Sequence, residues 1–311
     1  MSARDGGVEI LMAVHNGSAF LKEQIDSIIR QTDGRWHLTI SDDGSTDDSR
    51  EIIDDYARRC PDKIAHLRSG RRFGNARDHF FFLMERCDSE YMLFCDQDDV
   101  WYPDKVKKTR QALLDAAEKY GSGTPILVFS DQVPTDAALN PLADSLMRYQ
   151  NQYREDFDFR SLLMQNVVTG GAMGINRALA EMARPPREAG TIIMHDWWLA
   201  VVAAKFGRII YLDEPLGAYR QHGDNAVGAK AVGSARYISE RLSALGEVRR
   251  SILRKKAQAE TFRRAYQDRL SDEEALYLRQ FARKHSGMGF YLRHMGLIHG
   301  TARRVGMLLL G

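Results

Sequence analysis

Short apolar runs that end in aspartates, separated by segments with helical spacing, constrain this chain more than any other feature. Val8–Val14 runs into His15-Asn16-Gly17, Trp36–Ser41 stops at Asp42-Asp43-Gly44-Ser45, and Tyr91–Phe94 meets Cys95-Asp96-Gln97-Asp98-Asp99. Between them, residues 18–31 carry Phe20, Leu21, Ile25, Ile28 and Ile29 on one face, with Ser18 as the expected N-cap. The next helix brings Ile52, Ile53 and Tyr56 inward, and Ile64–Leu67 and a helix near 75–87 precede the run at 91. Strand–helix alternation at this spacing implies right-handed crossovers and a mostly parallel sheet. Ligands of such sheets bind beyond the carboxyl ends of the strands. The two acidic turns therefore converge on one crevice.

Carboxylates packed against a buried strand cost free energy unless something neutralises them. Two hard oxygen ligands one residue apart suit a divalent cation that keeps positions open for phosphate oxygens. Asp96 and Asp98 thus mark a metal–diphosphate site, while Asp99 is placed to cap the helix expected over 101–120. Farther on, 126–130 reads as a strand ending at Asp131, a further residue within reach of the crevice. Residues 135–165 are irregular and polar, and Val167–Ile175 reads as a strand whose Gly170-Gly171 pair lets a ligand approach the backbone. A helix holding His195-Asp196-Trp197-Trp198 and the strand Arg208–Leu212 follow.

The net charge of +2 hides an uneven split. Residues 1–228 carry 27 Lys and Arg against 35 Asp and Glu, whereas 229–311 carry 17 against 7 and have helical periodicity. The division separates a main domain (1–228) from a basic helical extension (229–311). The stretch 287–311 mixes apolar clusters with Arg and His, as a segment lying on a membrane surface does. No run of apolar residues is long enough to span a bilayer. The first seven residues lack the apolar core of a secretory signal. Three cysteines without metal-ligand spacing fit a reducing cytoplasm. The expected location is cytoplasmic, with peripheral attachment to the inner face of the membrane through the tail. A nucleic-acid partner is not expected, because no basic–aromatic sheet motif or zinc spacing accompanies the tail.

Taken in order, Asp42-Asp43-Gly44-Ser45-Thr46-Asp47, Cys95-Asp96-Gln97-Asp98-Asp99, His195-Asp196-Trp197-Trp198 and Tyr219-Arg220-Gln221-His222 resemble the motifs of family 2 glycosyltransferases over residues 8–228. The wording is most similar to bacterial rhamnosyltransferases of surface polysaccharide and O-antigen synthesis. The resemblance implies a GT-A fold, a Rossmann-like α/β sheet flanked by helices, and an inverting sugar transfer from a nucleotide diphosphate donor using Mg²⁺ or Mn²⁺. It implies that Ala13, His15 and Asn16 border the nucleotide, that Asp42 accepts from a pyrimidine N–H, and that Asp43 holds the base or ribose loop. Arg77 becomes a phosphate ligand, and Asp96 and Gln97 flank the ribose and diphosphate. Asp98, Asp96 and His222 become the metal ligands, imidazole being better tolerated by Mn²⁺ than by Mg²⁺. Asp196 becomes the general base. Gly170, Gly171, His195, Trp197, Trp198 and Arg220 surround the donor sugar and acceptor.

An acceptor-only carboxylate at Asp42 favours dTDP- or UDP-linked donors. The motif wording favours dTDP-rhamnose, with UDP-glucose or UDP-galactose as the alternative. The acceptor is a hydroxyl of a glycan or lipid-linked glycan. A nucleotide-sugar-binding protein without catalysis is the reading from another class, and the intact metal motif and base argue against it.

Overall fold

The computed structural model describes residues 6–152, 157–186, 189–223, 245–283 and 290. The tail reading for 287–311 lies outside the described residues, apart from Phe290, as does the start of the basic extension.

One eight-stranded sheet runs through the protein. In chain order the elements are β1 (Val8–Val14), α1 (Leu21–Ile29), β2 (Trp36–Asp42), α2 (Ser49–Arg59), β3 (Ile64–His66), α3 (Ala76–Arg86), β4 (Tyr91–Cys95), β5 (Val100–Trp101), α4 (Lys105–Tyr120) and β6 (Ile126–Thr135). There follow α5 (Leu146–Tyr149), α6 (Phe159–Met164), a 3₁₀ turn (Gly170–Ala172), β7 (Met173–Asn176), α7 (Arg177–Met182), α8 (His195–Phe206), β8 (Arg208–Arg220), α9 (Leu245–Ala265) and α10 (Asp272–Ala282). The strand order is β3-β2-β1-β4-β7-β6-β8-β5. Strands β3, β2, β1 and β4 run parallel, as do β6 and β8, while β7 and β5 are antiparallel to their neighbours. The expected mostly parallel α/β sheet is therefore present.

Period-two alternation divides the strand side chains between two cores. Val8, Ile10, Met12 and Val14 of β1 pack with α1, α2 and α4, whereas Leu11, Met92 and Phe94 face α3, α6 and α8. The second core continues into α9 and α10 through Phe262, Tyr266 and Phe281. Trp198 has no exposed surface and lies with its ring 5.7 Å from Phe262 and 6.1 Å from Tyr266. The described part of the extension thus shares the core of the eight-stranded sheet. Among the described residues no helix is long and apolar enough to cross a membrane.

Several local expectations are corrected. Ser18 is not an N-cap: α1 starts at Leu21, and the Ser18 N–H instead donates to Asp47 at 2.9 Å. Gly170 and Gly171 form a 3₁₀ turn ahead of β7 rather than the middle of a strand. Strands β6 and β8 each outrun the apolar run that announced them, because their distal halves pair with each other as far as Thr135 and Arg220. That long ladder carries Tyr219–His222 across to the acidic turn after β4.

Candidate active site

Register sets the site. Met12 pairs with Cys95 and Val14 with Asp42, so Asp96 and the 42–43 turn leave the sheet at the same edge, beside Ala13. Leu93 pairs with Gly174, which brings the Gly170–Ala172 turn back over Asp96. These segments enclose a cleft of 360 Å³. Ala13, His15, Asp43, Arg72, Gly74, Asn75 and His79 line it together with Asp96, Gln97 and Asp98, and so do Gly170, Met194, His195, Asp196 and Tyr219.

The acidic cluster is held under electrostatic pressure. Burial, followed by the carboxylates of Asp99, Asp98 and Asp196, pushes Asp96 well above the ordinary carboxylate range. Burial and Asp98 raise Asp99 in the same way, although it accepts from Gln132 Nε2 at 3.0 Å and from the Arg220 N–H at 3.1 Å. The buried Lys105 ammonium answers part of this charge; it donates to the Gly171 carbonyl at 2.7 Å and sits 4.4 Å over the Trp101 ring. Gly171 must lack a side chain here. A Cβ on it would lie 2.6 Å from Asp96 Oδ2 and 3.0 Å from Asp99 Oδ2.

Asp196 opens α8. Burial raises its carboxyl to about 7, against hydrogen bonds from the Trp197 N–H, the Asn166 side chain and the Gly170 N–H. His195 packs 4.2 Å from Phe80 and 5.4 Å from Phe94, and neither ring nitrogen has a protein partner. Burial lowers its pKa to about 3, so the imidazole is neutral. A Cβ on Gly170 would come 3.1 Å from His195 Nε2, so this glycine admits the ring.

The paired aspartates after β2 behave differently from one another. Asp43 lines the cleft and ties down the following loop by accepting from the Phe73 N–H and, at 2.7 Å, the Gly74 N–H. Asp42 does not line the cleft; its carboxylate accepts from Gly44, Ser45 and Arg50 and is spent on its own turn. Asn16 likewise braces loops, accepting from the Thr46 N–H at 2.9 Å and donating its own N–H to Ser45 at 2.8 Å.

Six further residues singled out from the sequence have other protein partners in the structure. Arg77 donates to Asp78 at 2.8 Å and to the Ile192 carbonyl at 2.6 Å, and so ties α3 to the segment before α8. Arg220 donates to the Asp98 carbonyl at 2.8 Å, the Ala137 carbonyl at 2.6 Å and the Glu23 carboxylate, and so braces the acidic turn. Trp197 and Trp198 are buried and donate to the Leu162 and Ala183 carbonyls, which turns both rings into the core. Asp99 and Asp131 do not take the parts assigned to them. Asp99 receives Gln132 and Arg220 while α4 starts at Lys105, and Asp131 accepts from Ser145 at 2.5 Å and from the Leu146 N–H, bracing α5.

Sequence reasoning missed Arg72, His79, Met194 and Tyr219 in the cleft, and Lys105 and Asn166 behind it. Arg72-Phe73 next to the Gly74-Asn75 turn was a signal for Arg72. A lysine two residues after Pro103 gives no sign that it is buried.

Whether a divalent cation suits these residues is a matter of donor chemistry. His222 Nε2 lies 2.8 Å from Asp98 Oδ2, and Asp96 shares the cleft. No three His, Cys, Asp or Glu side chains among the described residues make a ready cage. Hard carboxylates with one imidazole fit a cation that takes one or two protein oxygens and completes its shell with phosphate.

The Glycosyl transferase family 2 model matches residues 9–182. The dTDP-rhamnosyl transferase RfbG of Shigella flexneri is 30% identical over 244 residues, covering 73% of this chain and 76% of that protein. The putative teichuronic acid biosynthesis glycosyltransferase TuaG of Bacillus subtilis is 25% identical over 131 residues, 42% of this chain and 50% of that one. Among solved structures, S. aureus TarS 1–349 in complex with UDP-GlcNAc superposes with a TM-score of 0.56 at 13% identity, covering 96% of this chain and 90% of that one. The Pyrobaculum calidifontis mannosyltransferase PcManGT, in complex with GDP-Man and Mn²⁺, does so at 0.53 and 14% identity, covering 97% and 83%. The sheet has the GT-A arrangement, and the chain belongs to glycosyltransferase family 2.

Proposed function

We propose that this glycosyltransferase is an inverting, metal-dependent enzyme that transfers rhamnose from dTDP-rhamnose to a hydroxyl of a glycan or lipid-linked glycan. The carrying observation is that Asp196, raised to about 7, lines the same cleft as Asp96 and Asp98. In this reading the nucleotide lies along Ala13–His15, Asp43, Arg72 and Gly74–Asn75. The pyrimidine contact passes from Asp42 to this edge, with Arg72 the cation near the base or phosphates. Residues 1–100 form the nucleotide half, 101–228 the acceptor half and 229–311 the extension. Attachment of the extension to a membrane remains part of the proposal through residues 287–311.

Asp98, Asp96 and His222 would hold Mg²⁺ or Mn²⁺, which when bound neutralises the leaving diphosphate. Asp196 removes the proton of the acceptor hydroxyl, and that oxygen attacks the anomeric carbon of the donor. The bond from that carbon to the diphosphate oxygen breaks as the new bond forms, and the electron pair leaves with the diphosphate. A carboxylate poised near 7 suits a general base at cellular pH. His195, neutral and without a protein partner, is available to a sugar hydroxyl, and Phe80 and Met194 leave an apolar wall beside it. The family relationship to a dTDP-rhamnosyl transferase supports the donor assignment.

A thermal-shift screen with Mn²⁺ and dTDP-rhamnose, UDP-glucose and UDP-galactose, followed by transfer assays, tests this function. The Asp196→Asn variant should keep the donor-induced shift and lose about 10²–10⁴-fold in transfer rate. Transfer that survives this change rejects Asp196 as the base, and a UDP-hexose preference rejects the rhamnose donor.

A further inference from the structure

Gln97 stands between the two carboxylates assigned to the metal, yet its amide is turned away from them. Its Oε1 accepts from the His15 N–H at 2.7 Å and its Nε2 donates to the His15 carbonyl at 3.0 Å. This is the pairing that one strand residue offers another, made by a side chain across a separation of 82 residues. The His15 peptide borders the cleft, and the next residue, Asn16, turns the chain with φ 49°. Gly17 completes the fit. A Cβ on Gly17 would come 2.6 Å from Gln97 Oε1, so the loop has room for the amide only because this residue has no side chain. The amide therefore adds a side-chain bridge between the loop after β1 and the acidic turn after β4, beyond the strand pairing that ends at Met12 and Cys95.

We propose that Gln97 is a positioning residue that couples metal binding to nucleotide binding by locking the His15 loop to the Asp96–Asp98 turn. The proposal rests on the reading of Asp96 and Asp98 as metal ligands and goes beyond it. A nucleotide that orders the His15 loop orders the carboxylates through this amide, and by reciprocity a cation on the carboxylates orders the nucleotide loop. Phosphate oxygens on the metal supply a direct part of the coupling, which does not depend on Gln97. The amide supplies the remainder.

The test measures free Mn²⁺ by electron paramagnetic resonance in titrations of the full chain, with and without dTDP, and dTDP affinity in EDTA. Wild-type protein should bind Mn²⁺ more tightly when dTDP is present. Gln97→Ala should shrink that ratio by about fivefold or more, coupling between sites being commonly 5- to 150-fold. Its dTDP affinity in EDTA should stay within about threefold of wild type, since both ends of the amide are taken up by the His15 main chain. Gly17→Ala, which crowds the same amide from the other side, should reproduce the reduced ratio and decides the matter if Gln97→Ala melts early. An unchanged ratio in a folded Gln97→Ala variant overturns the proposal. So does an equal loss of dTDP affinity with and without metal, which would make Gln97 a direct nucleotide ligand. Absence of any Mn²⁺ binding by wild-type protein in dTDP overturns the metal reading as well.

Discussion

The two acidic turns of this protein contain the same residue type at the same edge of the same sheet, yet they have opposite electrostatics. After β2, donors outnumber the charges. Asp47 is held at about 2 because, against burial, it accepts from the Ser49 and Ser18 N–H groups, and Asp42 is lowered by Ser45 and Arg50. After β4, burial drives Asp96 and Asp99 upward, the charge of Asp98 adds to both, and that of Asp99 adds to Asp96. Aspartates saturated by backbone donors shape a loop, whereas aspartates left short of positive charge receive a ligand. The contrast separates scaffold from site where a count of carboxylates does not.

Gly171→Ala strikes the crowded turn hardest. The added methyl would sit 2.6 Å from Asp96 Oδ2, forcing that carboxylate to move. A displacement of this order costs about 10²-fold in kcat/KM, and initial-rate measurements beside a thermal melt would separate it from unfolding. The next effect is pH. As the proposed base, Asp196 would work only when ionised, and its carboxyl is raised to about 7. The kcat/KM should therefore fall about tenfold per unit below that point, and the acidic limb should vanish in Asp196→Asn. A limb near 4 would place the base outside this pressured region. The smallest effect belongs to the saturated turn: Asp47→Ala removes the acceptor for the Ser18 and Ser49 N–H groups. It should lower stability by about 1–3 kcal/mol in a denaturant titration, while kcat changes by only a few fold. A large fall in kcat at full stability would erase the distinction between the two turns.

The sheet and the sites at its edge were legible because periodicity and strand-end carboxylates are local signals. Asp196, Asp96 and Asp98 share a cleft as their motifs implied. Arginine and tryptophan roles were illegible for the opposite reason. The partners that occupy Arg220 come from Glu23, Asp98 and Ala137, and the partner of Arg77 from Ile192, all remote in sequence. A guanidinium that binds phosphate and one that binds carbonyls look alike until the chain is folded. Trp197 and Trp198 sit beside the base in sequence, but the helix turns their rings toward α6 and α9. Lys105 could not be found either, since burial of a lysine depends on a Gly171 carbonyl supplied from far along the chain.

The joint between α9 and the segment leading into α8 has a consequence for how such enzymes can be cut and recombined. Gln258 accepts from the Ile193 N–H at 2.8 Å, Thr261 meets Thr191 at 2.5 Å, and Phe262 closes over Trp198. Met194, His195 and Asp196 follow directly. A chain ending after β8 would leave the back of its own base helix wet and the approach to that helix untied. The described part of the extension backs the helix that presents Asp196 to the cleft. Grafting an extension from a relative would retune the cleft even if no residue lining it were changed.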